Sequence, residues 1–323
     1  MGGLRVGVMG VGHHGVYHCE KYASIPEVKL TAVADLRKER AAEIAKRFQA
    51  QAYTDYSELL GKVDAVSVVV PTEDHFRVAR DFLKRGVHVL LEKPMTTTLN
   101  EADRLIEISK KTGAVLQVGH LERFNPAVVA VRSRITTPGF IESTRLSEFP
   151  QRSLDVDVVL DVMIHDIDII LSIVDSDIKW IHAVGVPVVT DKIDIANARI
   201  LFKNGCVANV TASRVSRERM RKLRIFQPDT YFSIDHDTQQ VIVCRRLPSE
   251  TKGGYHRISM EMIECEKKDP LNEEIKSFVK SARTGAPPAV SGLDGRRALD
   301  GAFKILKSLK QSMGRALKEK FSL

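Results

Sequence analysis

Gly10-Val11-Gly12-His13-His14-Gly15 lies directly between an apolar run, Leu4 to Met9, and a stretch of helical pattern. A strand, a glycine turn and a helix start in that order admit few folds. The glycines permit a tight turn, expose backbone amides, and open a helix whose first turn carries partial positive charge. Asp35 ends the next apolar run, Val28–Ala34, twenty residues beyond Gly15. A carboxylate there can accept hydrogen bonds from ribose hydroxyls. The three features together predict a dinucleotide-binding βαβ unit; a purely structural glycine turn in another α/β fold is the alternative. Asp35 would repel a 2′-phosphate, which favours NAD over NADP, although Arg37 two residues on softens that preference.

The rest of the first third repeats the unit. Ala65–Val70, Val87–Leu91 and Val115–Val118 are short and rich in branched residues. Lys38–Phe48, Asp74–Lys84 and Asn100–Lys111 are amphipathic at helical spacing. Strands that read as near-continuous apolar runs are buried on both faces, so a doubly wound parallel sheet is expected. After about residue 123 the pattern changes. Helices are expected over Pro126–Ile135 and Val158–Val174. Period-two strands follow over Lys179–Val189, Asp194–Phe202, Cys206–Ser213, Lys222–Phe226, Tyr231–Asp235, Gln240–Arg245 and His256–Glu264, with a hairpin turn at Lys203-Asn204-Gly205. Helices near Leu271–Thr284 and Gly295–Lys318 close the chain. The fold class is therefore α/β: a Rossmann domain over 1–123 and an α+β domain with a large, mostly antiparallel open sheet over 124–323, its last helix a candidate to pack back on the first domain.

Composition narrows the function classes. A length of 323 residues favours two cores. The net charge of +8 suits an anionic ligand, but the basic runs Arg214–Arg224 and Lys304–Lys320 lack interleaved aromatics, so nucleic acid is not expected. No apolar run is long enough for membrane insertion. Leu4–Val11 is too short and glycine-rich for a secretory signal, and four scattered cysteines suit a reducing compartment; a cytoplasmic location is expected.

Two segments carry candidate chemistry. Glu92-Lys93-Pro94 follows an expected parallel strand, and ligands of such sheets gather at strand carboxyl ends. Lys93 there can hydrogen-bond a substrate hydroxyl or share in proton transfer; a surface lysine in a proline-shaped loop is the alternative. In the apolar Val158–Val174 helix, Asp161, His165 and Asp168 fall at i, i+4 and i+7 on one face, and Ser172 extends the stripe. A polar stripe on a buried helix must face partners or a cavity. Acid–base catalysis, a structural His–Asp network and a metal site all fit; no His or Cys at ligand spacing completes a metal set, so no metal is expected. Asp166 lies off the stripe.

In order along the chain, the glycine motif, Asp35, Pro71-Thr72-x-x-His75, Glu92-Lys93-Pro94, Asp161-x-x-x-His165 and Val290-Ser291-Gly292-x-Asp294-Gly295 resemble the glucose–fructose oxidoreductase, inositol dehydrogenase and rhizopine-catabolism (Gfo/Idh/MocA) family over essentially the whole chain. The resemblance implies a nicotinamide-dependent dehydrogenase acting on CH–OH groups. It implies cofactor contacts from Gly10, Gly12, His13, His14, Gly15, Asp35, Arg37, Pro71, Thr72, His75, Glu92 and Lys93. Lys93 would contact the reacting hydroxyl, His165 would be the acid–base residue, and Asp161 would orient the substrate or the histidine. The open sheet would form a homodimer or homotetramer. Gln117–Pro126, Asp161–Asp168, Ala208–Ser216 and Arg221–Pro228 are similar to members that oxidise the 3-hydroxyl of UDP-N-acetylglucosamine to a ketone, ahead of an aminotransferase in lipid A biosynthesis. For such a substrate the contacts expected are Lys93, His120, Arg123, Asn125, Asp161, His165 and Arg214; the arginines can hold the diphosphate, with surface groups or dimer contacts as the alternative. Asp155-Val156-Asp157 stands where many members have a glycine triplet, a departure in the loop entering the helix. A dehydrogenase or reductase of a free polyol or other small carbonyl compound, and a non-catalytic dinucleotide sensor on the same fold, stay open.

Overall fold

The computed structural model describes residues 3–149, 156–249 and 255–312. Asp155, and the last helix beyond residue 312, lie outside the described residues. By contacts the chain divides into two compact units, Met1–Leu121 with Asp269–Arg296, and Glu122–Lys268 with Arg297–Leu323.

In the first unit β1 (Leu4–Met9), β2 (Val28–Ala34), β3 (Gln51–Tyr53), β4 (Ala65–Val68), β5 (His88–Glu92) and β6 (Leu116–Gly119) form one sheet. Its order is β3-β2-β1-β4-β5-β6, parallel throughout. That is the Rossmann arrangement, with strand order reversing between β1 and β4, where ligands bind. The crossovers run through α1 (His13–Ala23), α2 (Lys38–Phe48), α3 (Thr72–Leu83) and α4 (Leu99–Thr112). α4 starts with a capping box in which Thr98 and Glu101 satisfy each other's backbone amides.

In the second unit α5 (Pro126–Arg132) precedes β7 (Phe140–Leu146), a strand the apolar pattern does not announce. Its inward residues are Ile141, Ser143 and Arg145, two of them polar, so apolar alternation is missing. A π-helical turn, Val159–Met163, leads into α6 (Ile164–Ile173). The single regular helix expected over Val158–Val174 is thus corrected: the turn carrying Asp161 is wider, and π turns frequently occur at functional sites. β8 (Ile178–Val186), β9 (Ile195–Phe202), β10 (Val207–Ser213), β11 (Met220–Gln227), β12 (Thr230–Asp235), β13 (Gln240–Arg246) and β14 (Ile258–Glu264) complete an eight-stranded sheet ordered β14-β13-β12-β11-β7-β10-β9-β8. Only the β7–β10 pair is parallel. The inner face packs Ala198, Ile200, Val210, Leu223 and Phe232 with Ile167 and Ile170 of α6.

Two helices remain. α7 (Pro270–Thr284) places Ile275, Phe278 and Val279 in the core that holds Val6, Val8 and Leu90. The stretch 269–296 therefore packs in the first unit, although the sequence boundary assigned it to the second domain. α8 (Gly292–Ser312) begins in that unit, where a side chain at Gly295 would strike Val118, and continues in the second, where Ala302, Ile305 and Leu309 join the core.

Candidate active site

The glycine turn is built as its motif demands. Gly10 has φ of +81°, and a Cβ there would sit 2.6 Å from the Val69 carbonyl oxygen. A Cβ at Gly15 would collide with the Gly10 carbonyl. At Gly12 a Cβ would meet nothing within 4 Å. The middle glycine thus faces open space at the N-terminus of α1, and a side chain would fill the room a pyrophosphate needs. Beside it a cavity of about 510 Å³ is lined by Gly10, Gly12, Asp35, Arg37, Pro71 and Val70, with Leu36, Thr54, Tyr56, Asp74 and Arg77 among its other walls. The residues present fit a dinucleotide.

Asp35 is held in place. Its Oδ2 accepts from the Val11 amide at 3.1 Å, and its Oδ1 from the Arg37 amide at 3.0 Å and Nε at 3.2 Å. Tyr56, Asp74 and Arg77 were not foreseen. Arg77 donates to the Asp74 carboxylate at 2.8 Å and the Tyr56 hydroxyl at 3.1 Å, closing one wall. No motif or spacing in the sequence marks them. His13, His14, Gly15, Thr72, His75, Glu92 and Lys93 do not line this cavity; Thr72 opens α3 beside Pro71. His75 is buried, and both ring nitrogens lie 2.9 Å from main-chain carbonyls, of Val70 and Pro94. It ties the loop after β4 to the loop after β5, and burial pushes its pKa down.

Lys93 follows β5, half-buried, and the Lys93–Pro94 peptide is cis. Glu92 accepts from the Lys93 amide at 3.3 Å and pairs with His18 at 3.1 Å. Burial pushes the Glu92 carboxyl up, but the His18 hydrogen bond and the charges of His18, His14 and Lys93 outweigh it, so the net shift is downward.

In the second unit Asp161 and His165 are half-buried, whereas Asp166 and Asp168 are buried. The stripe therefore divides. Asp168 takes a bidentate ion pair from Arg123, at 2.6 and 2.8 Å. Ser172 returns its hydroxyl to the Ile169 carbonyl. Asp166, assigned no role from sequence, receives a bidentate pair from Arg145 at 2.9 Å, and Arg145 also donates to Glu122 at 2.8 Å. His236 completes the group, 2.9 Å from Glu122. Burial raises the Glu122 pKa, but Arg145, the His236 hydrogen bond and the His165 charge hold it well below the carboxylate range. Arg145 and His236 belong to no motif, and Glu122 and Asp166 fall within the similar segments Gln117–Pro126 and Asp161–Asp168 but carry no role there; a buried charge network scattered along the chain leaves no spacing to read.

Three expected substrate contacts have internal partners. Arg123 is buried in its pair with Asp168. Arg214 is 0% exposed, donating to Asp194 at 2.8 Å, the Val156 carbonyl at 2.6 Å and Thr190 at 3.1 Å. Asn125 caps α5 through the Ala127 amide and donates to Glu122 and the His236 carbonyl. Each meets buried partners that a diphosphate would have to displace. His120 is buried to 1% exposure at the end of β6. Among the described residues no group of three His, Cys, Asp or Glu is arranged for a metal, and no helix is long and apolar enough to cross a membrane.

Comparisons with known proteins add to this geometry. Residues 4–120 match the family described as an oxidoreductase family with NAD-binding Rossmann fold, and residues 127–230 match the GFO/IDH/MocA C-terminal domain. The chain is 41% identical over 303 residues to UDP-N-acetylglucosamine 3-dehydrogenase of Acidithiobacillus ferrooxidans, covering 94% of this chain and 96% of that protein. It is 28% identical to myo-inositol 2-dehydrogenase of Thermotoga maritima, covering 98% and 99%. A solved structure of the Acidithiobacillus ferrooxidans enzyme superposes with a TM-score of 0.89 at 40% identity, covering 96% of this chain and 99% of that one. Levoglucosan dehydrogenase in complex with NADH and levoglucosan, at 19% identity and a TM-score of 0.85, covers 96% and 98% and shares the fold.

Proposed function

The chain belongs to the Gfo/Idh/MocA oxidoreductase family, and we propose that it reversibly oxidises the 3-hydroxyl of UDP-N-acetylglucosamine to a ketone with NAD. The observation that carries the substrate is the near-full-length likeness to a protein named for that reaction. The bound dinucleotide supplies the hydride acceptor. His165 takes the hydroxyl proton, and Asp161, one π turn away, orients the imidazole. Lys93 places positive charge on the oxygen as it becomes alkoxide-like. The keto product is one that an aminotransferase converts to an amine, the pathway partner this reading implies. A free polyol is the rival substrate, supported by the inositol dehydrogenase relative. The test is NADH formation with UDP-N-acetylglucosamine against UDP-glucose and myo-inositol. A kcat/KM at least tenfold higher for the first supports the proposal; preference for inositol overturns it.

With Arg123 and Arg214 engaged, we assign the diphosphate contact to Arg221 on β11. Its side chain is one-third exposed, its buried Nε has no hydrogen-bond partner among the described residues, and the nearest carboxylates are distant: Asp237 at 3.6 Å and Glu122 at 3.9 Å, too long for hydrogen bonds. Arg221→Met raises the KM for the sugar nucleotide about tenfold with kcat little changed, as loss of one charged hydrogen bond predicts. An unchanged KM returns Arg221 to a structural role.

Asp35 supports NAD over NADP. Asp35→Ser lowers the kcat/KM ratio of NAD to NADP about 50-fold, because one charge-assisted contact to ribose is lost and the repulsion of a 2′-phosphate is relieved. Steady-state kinetics with both cofactors checks this. The outer face of the eight-stranded sheet exposes Trp180 (51%), Val184, Met260 (74%) and Met262. Trp180 and Val184 lie on β8 and Met260 and Met262 on β14, the two opposite edge strands, with Arg224, Glu142, Asn209 and Arg199 across the face between them; a second copy of the chain covering one of these apolar edges is the reading this supports, and the mass in solution tests it.

A further inference from the structure

A buried polar chain in the first unit has no part in cofactor or substrate contact as described so far. His18 of α1 is 1% exposed and lies between two partners: its Nδ1 is 3.0 Å from the Ser67 hydroxyl of β4, and its Nε2 is 3.1 Å from Glu92 Oε1 of β5. Ser67 is also 2.8 Å from the Tyr22 hydroxyl. Ser67 and Tyr22 are both fully buried. Hydrogen counting gives this chain a direction. A carboxylate only accepts, so His18 Nε2 carries the hydrogen that reaches Glu92. In the neutral ring Nδ1 then accepts from Ser67, and Ser67 accepts from Tyr22. Every hydroxyl and ring nitrogen of the row is used once. Burial pushes the Tyr22 phenol up, which keeps it a donor.

The carboxylate is fixed from its other side as well. Gly119 of β6 pairs with Glu92, and a Cβ at Gly119 would lie 2.9 Å from Oε1 and 3.1 Å from Oε2. The Glu92 carboxyl thus rests against bare backbone, with one oxygen on His18 and the other accepting the Lys93 amide at 3.3 Å. The titratable groups facing Glu92 are His18 and His14 from α1 and Lys93 from the end of its own strand; β6 brings only backbone there. At the far end Tyr22 faces Glu274 of α7 and Cys19.

We propose that His18 is a positioning residue for the reaction: through its hydrogen bond it fixes the Glu92 carboxylate, and through Glu92 the segment that presents Lys93. The proposal rests on Lys93 acting at the reacting hydroxyl, as assigned above. A histidine with only a packing role could be exchanged for an apolar residue at a cost in stability alone. A positioning histidine also governs the protonation of Glu92, because a carboxylate that loses its donor takes up a proton more readily.

The experiment measures kcat, KM for NAD and the pH profile with UDP-N-acetylglucosamine for the intact enzyme, His18→Leu, His18→Gln and Lys93→Met. His18→Leu lowers kcat about 20-fold, the scale of one charged hydrogen bond, leaves KM for NAD within about threefold, and moves the acidic limb of the kcat profile to higher pH. His18→Gln, whose amide can donate to Glu92 and accept from Ser67, recovers most of kcat and returns the limb. Should His18→Leu not fold, Glu92→Gln carries the test, with the same loss of kcat. Full kcat and an unmoved limb in His18→Leu, or full kcat in Glu92→Gln, overturn the proposal. Equal impairment of both His18 variants with an unmoved limb does so too. Lys93→Met with normal turnover overturns the underlying catalytic reading; an inactive Lys93→Met beside a normal His18→Leu overturns this proposal alone.

Discussion

Lys93→Met lowers kcat about a thousandfold while NAD binding stays within about threefold, the range expected when a group that stabilises charge in the transition state is lost. Methionine keeps the length and apolar stem of the side chain and removes only the ammonium. Lys93 does not line the cavity of Asp35, Arg37 and Pro71, so the dinucleotide keeps its main contacts. The loop after β5 keeps its shape too, since Glu92 accepts the main-chain amide of residue 93 and His75 holds the Pro94 carbonyl. His165→Ala gives a loss of about 10²- to 10⁴-fold, the usual contribution of a general acid–base group. Steady-state NADH formation and quenching of protein fluorescence by NAD separate turnover from binding. Turnover near that of the intact enzyme in both variants discards the catalytic assignment.

The second large effect concerns stability. Arg145→Met destabilises the second unit by about 3–5 kcal/mol, because it leaves two buried carboxylates without their shared cation. Arg145 is 4% exposed, and its three hydrogen bonds hold Asp166 of α6 and Glu122 of the turn Leu121–Phe124. It sits on β7, so it joins the central strand to the helix that carries His165. The penalty depends on pH with a definite sign. Glu122 is held well below its ordinary value of 4.5, so its contribution is complete above that value and is lost as pH falls through the lower folded value. In Arg145→Met that advantage is gone at neutral pH. The gap between variant and parent therefore narrows as pH falls to about 4.5 and below, where the unfolded carboxyl takes up a proton that the parent's folded Glu122 does not. Urea unfolding at pH 7 and pH 4 measures it; an equal gap at the two values contradicts the account.

The first unit was readable because its physics is local. Buried parallel strands appear as continuous apolar runs, the glycine turn needs particular residues at particular positions, and Asp35 falls at a fixed distance beyond it. The second unit hid its central strand, since β7 turns Ser143 and Arg145 inward and an apolar count cannot see a strand that buries an ion pair. The π turn at Val159–Met163 escaped for a related reason: a sequence of branched apolar residues looks the same at 3.6 residues per turn and at a wider pitch. Arginine roles were the least legible. Arg123 and Arg214 carry the residue type a diphosphate requires, but whether an arginine faces ligand or carboxylate depends on partners 45 and 20 residues away in the chain. Asp166 lies off the stripe, and its partner Arg145 comes from β7, on a different element altogether.

The central claim is that hydride passes from a sugar carbon to the nicotinamide, and the most direct measurement follows that hydrogen. The enzyme is incubated with NAD and UDP-N-acetylglucosamine bearing deuterium at C3, and the reduced cofactor is analysed by mass spectrometry. The account predicts NADH carrying one deuterium. NADH formed without the label, or no NADH while NAD is bound, contradicts it.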